Sequence, residues 1–135
     1  MKISYVATDL EFDSLSDPSL IVAELGKNIH LNRNDQVGDV YYVTAGLGHP
    51  DTSANEAVAF YCSILEKLSD RAKVSWRQCT RRVLDIAFAS GTEPKCETYR
   101  LPEDLVRRIA NLGMSIAVTI YRDGFYSTQV ENKDT

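Results

Sequence analysis

Two stretches of the chain follow the same strand–helix–strand order, and this repetition limits the fold more than any other feature. The first stretch runs from Ile3 to Thr44 and the second from Val83 to Tyr121. In each, a proline opens the helix and a Leu-Gly pair closes it, over Pro18–Gly26 and Pro102–Gly113. Proline suits the first turn of a helix, and glycine suits the position just after its end. The repetition predicts an α+β fold, with an antiparallel or mixed sheet of four to five strands and helices packed on one face, in a ferredoxin-like or related two-layer sandwich.

Alternating apolar segments predict the strands, and capping patterns predict the helices between the two repeats. The predicted strands are Ile3–Phe12, Asp39–Ala45, Leu84–Phe88 and Met114–Tyr121, with a further short strand at Cys96–Tyr99. The polar run Asn32–Gly38 is predicted to be a connection. Ser53 and Glu56 match a capping box that starts one helix, and Ser69 starts a second helical piece.

Length and charge limit the number of domains, the location and the partners. At 135 residues, the chain is predicted to be a single domain over 1–135, with 125–135 as a frayed tail. No apolar run approaches the ~20 residues of a membrane span, and no long apolar signal segment precedes Asp9, so we expect a cytoplasmic protein without a membrane partner. The net charge is −4, with −6 on residues 1–68 and +4 on residues 69–82. This acidity argues against nucleic-acid binding, whereas the uneven distribution indicates either solvated faces or a dipolar surface that steers a charged partner.

Residues that carry metal and redox chemistry are sparse and scattered. Cys62, Cys79 and Cys96 form no close pair, so we expect reduced thiols that pack as small apolar side chains. His30 and His49 are isolated from each other and from the cysteines. The usual zinc spacings are therefore missing, and we predict neither a metal site nor a cofactor.

One loop, Gly46–Ser53, contains residues that could form a catalytic site. His49 is placed where a general base could act, and Asp51 and Ser53 are the nearby groups that could orient it or serve as nucleophile. The alternative interpretation is a tight turn whose histidine is solvated.

Acidic side chains cluster along and just after the first predicted strand. Asp9, Glu11 and Asp13 share one face of an extended strand, because side chains alternate, and Asp17 follows them. Like charges on one face repel, and a cation or a basic partner would relieve the repulsion. The patch is either a solvated edge or an acidic protein-binding surface.

Trp76 lies in the basic segment, beside Arg77. Tryptophan and arginine are enriched at the energetic centres of interfaces, so Trp76 is a candidate anchor, although a tryptophan in such a segment is more often simply part of the core. The candidate partner-binding residues are Glu11, Asp13, Asp17, Trp76 and Arg77.

Several short segments occur in an order shared with a known family: Asp17–Ile21, Leu25–Gly26, Gln36–Asp39, Leu101–Pro102, Leu112–Gly113 and Ile116–Tyr121. In this order the chain resembles a bacterial family known as domain of unknown function four-two-seven-nine. The family has a tryptophan soon after the glycine-containing turn, where this chain has Tyr41 and Tyr42. The resemblance brings no catalytic residues to the chain. Small acidic bacterial proteins of this kind resemble immunity proteins that are paired with secreted toxins.

These observations and the resemblance together predict a non-enzymatic cytosolic protein-binding domain. Its expected activity is that of an immunity protein, which neutralises a basic bacterial toxin through an acidic surface. The alternative is a small enzyme or a ligand-binding sensor that uses the Gly46–Ser53 loop. A homo-oligomer built through sheet edges is the third hypothesis.

Overall fold

The computed structural model describes residues 3–50, 53–92 and 96–122, which form a five-stranded sheet and four α-helices. The strands are β1 (Ser4–Ser14), β2 (Ile29–Val37), β3 (Val40–Leu47), β4 (Arg81–Ala89) and β5 (Ser115–Tyr121). The helices are α1 (Ser19–Leu25), α2 (Ala54–Glu66), α3 (Asp70–Arg77) and α4 (Glu103–Asn111). The predicted tail at 125–135 lies outside the described residues. None of the described helices has the length and apolar composition needed to cross a lipid bilayer.

The strands lie in the order β2-β3-β1-β4-β5, which puts β1 at the centre of the sheet. β1 pairs antiparallel with β3 and β4, β2 pairs antiparallel with β3, and β4 pairs in parallel with β5. The first four strands and their two helical crossovers follow the β-α-β-β-α-β connectivity of ferredoxin-like folds. α4 and β5 add one further parallel unit beside β4. The predicted α+β architecture with a mixed sheet is confirmed.

The helices share one hydrophobic core with a single face of the sheet. In β1, the buried residues Thr8, Leu10, Phe12 and Ser14 alternate with residues that face the other way. The Tyr61 hydroxyl of α2 donates to the Thr8 carbonyl oxygen at 2.8 Å, which satisfies a buried polar group of the central strand. No described helix covers the opposite face, which we call the open sheet face.

Glycines end the two helices where the Leu-Gly pairs predicted. Gly26 and Gly113 adopt φ values of 52° and 70°, in a region that side chains disfavour. After α4, the Gly113 N–H donates to Ala110 and the Met114 N–H donates to Ile109, so the last carbonyls of the helix are satisfied.

Serines begin α2 and α3, as their capping patterns predicted. Ser53 Oγ accepts the Glu56 N–H at 3.1 Å, and Ser69 Oγ accepts the Ala72 N–H at 3.2 Å. Glu24 of α1 also accepts the N–H and the hydroxyl of Ser69, at 2.7 and 2.6 Å. These hydrogen bonds lower the pKa of Glu24 and tie α1 to the start of α3.

The prediction that Asn32–Gly38 forms a connection is wrong, because most of this run belongs to β2. β2 pairs with β3 through a two-residue turn at Gly38-Asp39, in which Gly38 has a φ of 62°. After the buried Ile29, every residue of β2 is exposed. The strand therefore lacks the apolar alternation by which a strand is recognised in a sequence.

The short strand predicted at Cys96–Tyr99 is also wrong, since this segment has no regular secondary structure. Side chains hold it in place instead. The Tyr99 ring packs against Phe88 with centroids 5.3 Å apart, and its hydroxyl donates to Asn55 Oδ1 at 2.8 Å.

Candidate functional site

The open sheet face carries carboxylates along its central strand. Asp9, Glu11 and Asp13 alternate with the core residues of β1, so they lie on the side opposite the helices. β4 adds Asp85, which is paired in register with Asp9. We call these four residues the acidic row. Asp9 and Asp85 place like charges directly opposite each other in the middle of the sheet, and charges placed in this way repel.

One arginine on β4 neutralises part of the acidic row. Arg81 Nη2 lies 2.7 Å from Glu11 Oε1, and Arg81 Nη1 lies 3.8 Å from Asp13 Oδ1. The hydrogen bond with Glu11 raises the pKa of Arg81, so this guanidinium remains protonated. Four carboxylates and one guanidinium leave this part of the face with a net charge of −3.

The side chains beside the acidic row are polar, and several of them form hydrogen bonds or ion pairs within the chain. Thr119 Oγ1 of β5 donates to Asp85 Oδ1 at 2.7 Å. Towards β2, the Arg33 guanidinium lies 4.3 Å from the centre of the Tyr42 ring and pairs with Asp35 at 2.7 Å. Across residues 3–50, 53–92 and 96–122, no group of three or more His, Cys, Asp or Glu side chains is arranged to hold a metal ion.

The five predicted partner-binding residues fall on different parts of the molecule. Glu11 and Asp13 lie together in the acidic row. Asp17 lies just before α1, where its Oδ1 accepts the Ser19 N–H at 2.9 Å. Arg77 is exposed at the end of α3, in the helical layer.

Trp76 is a core residue, with 3% of its surface exposed. Its ring packs edge-to-face against Phe12 at 5.4 Å between centroids, and its indole N–H donates to the Leu112 carbonyl at 2.8 Å. Ala72 and Trp76 are the buried residues of α3, and their spacing of four places both on the face of the helix that meets the core. Trp76 therefore occupies a core position, which was the alternative to an interface anchor.

Arg82, at the end of the basic segment 69–82, joins the ends of α3 and α4. Arg82 Nη1 donates to the carbonyls of Trp76, Arg77 and Cys79 at 3.1, 3.2 and 2.8 Å, and Arg82 Nε donates to Gly113 at 2.9 Å. A cation is favourable at a helix C-terminus, where unpaired carbonyls leave partial negative charge. We call Trp76, Arg82, Leu112 and Gly113 the α3–α4 clasp. Arg82 thus has a structural role that its charge alone did not indicate.

Three described residues of the Gly46–Ser53 loop, Gly48, His49 and Ser53, make contacts that hold the local structure. The Gly48 N–H donates to the Asn28 carbonyl at 2.9 Å. The His49 ring packs against Phe60 with centroids 4.5 Å apart, and Ser53 serves as the N-cap of α2. Asp51, the third member of the predicted constellation, lies outside the described residues.

The three cysteines differ in accessibility, and their thiols are expected to react accordingly. Cys62 and Cys79 are buried, whereas Cys96 is exposed. Burial raises the pKa of Cys62 to about 11 and also raises that of Cys79, so their reactive thiolate forms are scarce at neutral pH. We predict one alkylated cysteine, Cys96, after brief iodoacetamide treatment of the native protein, and three after denaturation. Mass spectrometry measures this, and native labelling of Cys62 as fast as Cys96 would contradict the burial.

Sequence reasoning missed Asp85, which completes the acidic row. In the sequence, Asp85 is a single charged residue between the apolar neighbours Leu84 and Ile86. Its position beside Asp9 can be predicted only from the register of β1 against β4.

Comparison of the chain with protein-family models, curated proteins and solved structures gives no match.

Proposed function

We propose that this chain is a non-enzymatic protein-binding domain whose acidic row contacts a basic protein surface. The resemblance described above suggests its biological form, an immunity protein that neutralises a bacterial toxin in the cytoplasm. The observation that carries the proposal is the pairing of Asp9 with Asp85 at the centre of the open sheet face.

Cationic side chains of a partner would relieve the repulsion within the acidic row. Arg81 pairs with Glu11 and Asp13 and also attracts Asp85, but it carries one positive charge. A lysine or arginine of the partner that docks near Asp9 and Asp85 would be attracted by both carboxylates and would offset their mutual repulsion. The same charge would repel the phosphates of a nucleic acid.

Affinity capture tests the proposal with a pair of matched double variants. Asp9→Asn/Asp85→Asn removes two charges from the open sheet face and keeps the shape and the acceptor for Thr119. Glu103→Gln/Asp104→Asn removes two charges from the exposed first turn of α4, in the helical layer. We expect the unmodified chain and the α4 variant to retain the same basic protein, and the open-face variant to bind it about tenfold more weakly.

Salt and toxicity provide the remaining tests. Binding should weaken as salt rises, because the screening length falls from ~10 Å at 0.1 M to ~3 Å at 1 M. If the partner is a toxin, its expression alone should stop growth, and co-expression of this chain should restore it. Repeated capture without a specific partner, or equal retention by both double variants, would rule out binding through the acidic row.

A further inference from the structure

A cleft of about 560 Å³ lies in the helical layer, on the opposite side of the sheet from the acidic row. Its walls come from α2, α3, the end of α4 and the turn that follows α4. Leu65, Trp76 and Leu112 give it an apolar surface. Sites for small molecules commonly have volumes of ~300–1,000 Å³ and combine an apolar lining with a few charged or polar groups. The charged groups of this cleft therefore indicate which ligand it fits.

The charged groups of the cleft are mostly cationic, although the chain as a whole is acidic. Lys73, Arg77 and Arg82 line it beside one carboxylate, Glu66. Glu66 already pairs with Arg108 at 2.7 Å, which offsets its negative charge. Lys73 and Arg77 lie four residues apart on α3, and neither forms an ion pair with another described residue. Their charges are therefore available to attract an anion into the cleft.

Arg82 has one nitrogen that the α3–α4 clasp does not use. Its Nε and Nη1 atoms donate to the four backbone carbonyls, whereas Nη2 donates to no acceptor among the described residues. A Cβ atom at position 113 would lie 2.9 Å from Nη2, so Gly113 keeps space open beside this nitrogen. The two N–H groups of Nη2 can therefore donate to a ligand oxygen, and such bonds are strong when the acceptor is a carboxylate or a phosphate.

We propose that this cleft binds a small organic anion, whose acidic group is held by Lys73, Arg77 and Arg82. The acidic group is a carboxylate or a phosphate, because ammonium and guanidinium groups donate well to both. The apolar body of the ligand packs against Leu65 and Leu112, since an isolated inorganic anion would leave this surface uncovered. The site is independent of the acidic row, which attracts cations on the other side of the sheet.

Nuclear magnetic resonance of the isotope-labelled full chain tests the site with phenylbutyrate as the probe. Trp76 lines the cleft and is the single tryptophan, so one indole N–H signal reports on binding there. Phenylbutyrate should shift this signal saturably. Phenylbutanol has the same apolar body without the charge, and it should bind about tenfold more weakly or worse. Phenyl phosphate then distinguishes the two acidic groups, because tighter binding than phenylbutyrate would identify a phosphate as the preferred one.

Two matched double variants locate the binding. Lys73→Ala/Arg77→Ala removes two cations from the cleft and should raise the dissociation constant of phenylbutyrate about tenfold or more. Arg71→Ala/Arg107→Ala removes two exposed cations of α3 and α4 that do not line the cleft, and it should bind like the unmodified chain. The amide spectrum checks that each variant is folded. Absence of a saturable shift at millimolar phenylbutyrate, equal affinity for phenylbutanol, or equal affinities of the two double variants would overturn the proposal.

Discussion

Replacing Trp76 with alanine is expected to lower the free energy of unfolding by about 3–5 kcal/mol. The indole is 3% exposed and packs on Phe12, and its N–H satisfies the Leu112 carbonyl. Alanine would leave a cavity in the core and remove the donor from that carbonyl. Denaturant unfolding followed by circular dichroism measures the change, since Trp76 is the single tryptophan and its fluorescence is lost in the variant.

Two further variants separate packing from hydrogen bonding. Trp76→Phe keeps an aromatic ring but loses the donor, so we expect a smaller loss, with about 1–2 kcal/mol due to the missing hydrogen bond. Val74→Ala, at a 46% exposed position on the same helix, should change stability by about 0.5 kcal/mol or less. If Trp76→Ala were no more destabilising than Val74→Ala, the core position of the indole would be wrong.

Replacing Arg82 with alanine is expected to cost about 2–3 kcal/mol of stability. The guanidinium of Arg82 donates to four backbone carbonyls, which lie at or just after the ends of α3 and α4. Its removal leaves these acceptors to water or without partners, and it also removes the positive charge that favours the helix ends. Chemical denaturation at neutral pH measures the loss.

A nearby arginine provides a matched control for Arg82. Arg77→Ala removes the same charge from an exposed side chain at the end of α3, so its cost should stay below about 1 kcal/mol. Arg82→Lys keeps the charge but cannot reproduce the planar set of donors, and it should fall between Arg82→Ala and the unmodified chain. Equal effects of Arg77→Ala and Arg82→Ala would contradict the structural role of the clasp.

The architecture was predictable because its signals are local. The helix starts at Ser53 and Ser69 and the helix end at Gly113 depend on residues within one turn. Successive side chains of β1 point alternately to the core and to the open sheet face. The placement of Glu11 and Asp13 on one face could therefore be predicted from their spacing of two residues.

The missed features depend on distant parts of the chain. β2 forms because β3 pairs with it, although its own side chains are almost all exposed. Asp85 joins the acidic row only through the register of β4 against β1. The sequence alone suggests that Arg82 is a surface charge, and its structural role follows only from the proximity of the ends of α3 and α4 in the fold. Local propensity contains none of this information.

The central position of β1 also sets an order for folding. Leu10 pairs with Ala45, 35 residues later, and with Leu84, 74 residues later. Contacts between distant residues require closure of long loops before they add stability, so they form slowly. The β4–α4–β5 unit is local, and it joins the rest of the sheet through the pairing of β4 with β1. We therefore expect one edge of β1 to stay exposed to wrong pairing until β4 docks, if β1 pairs with β3 first.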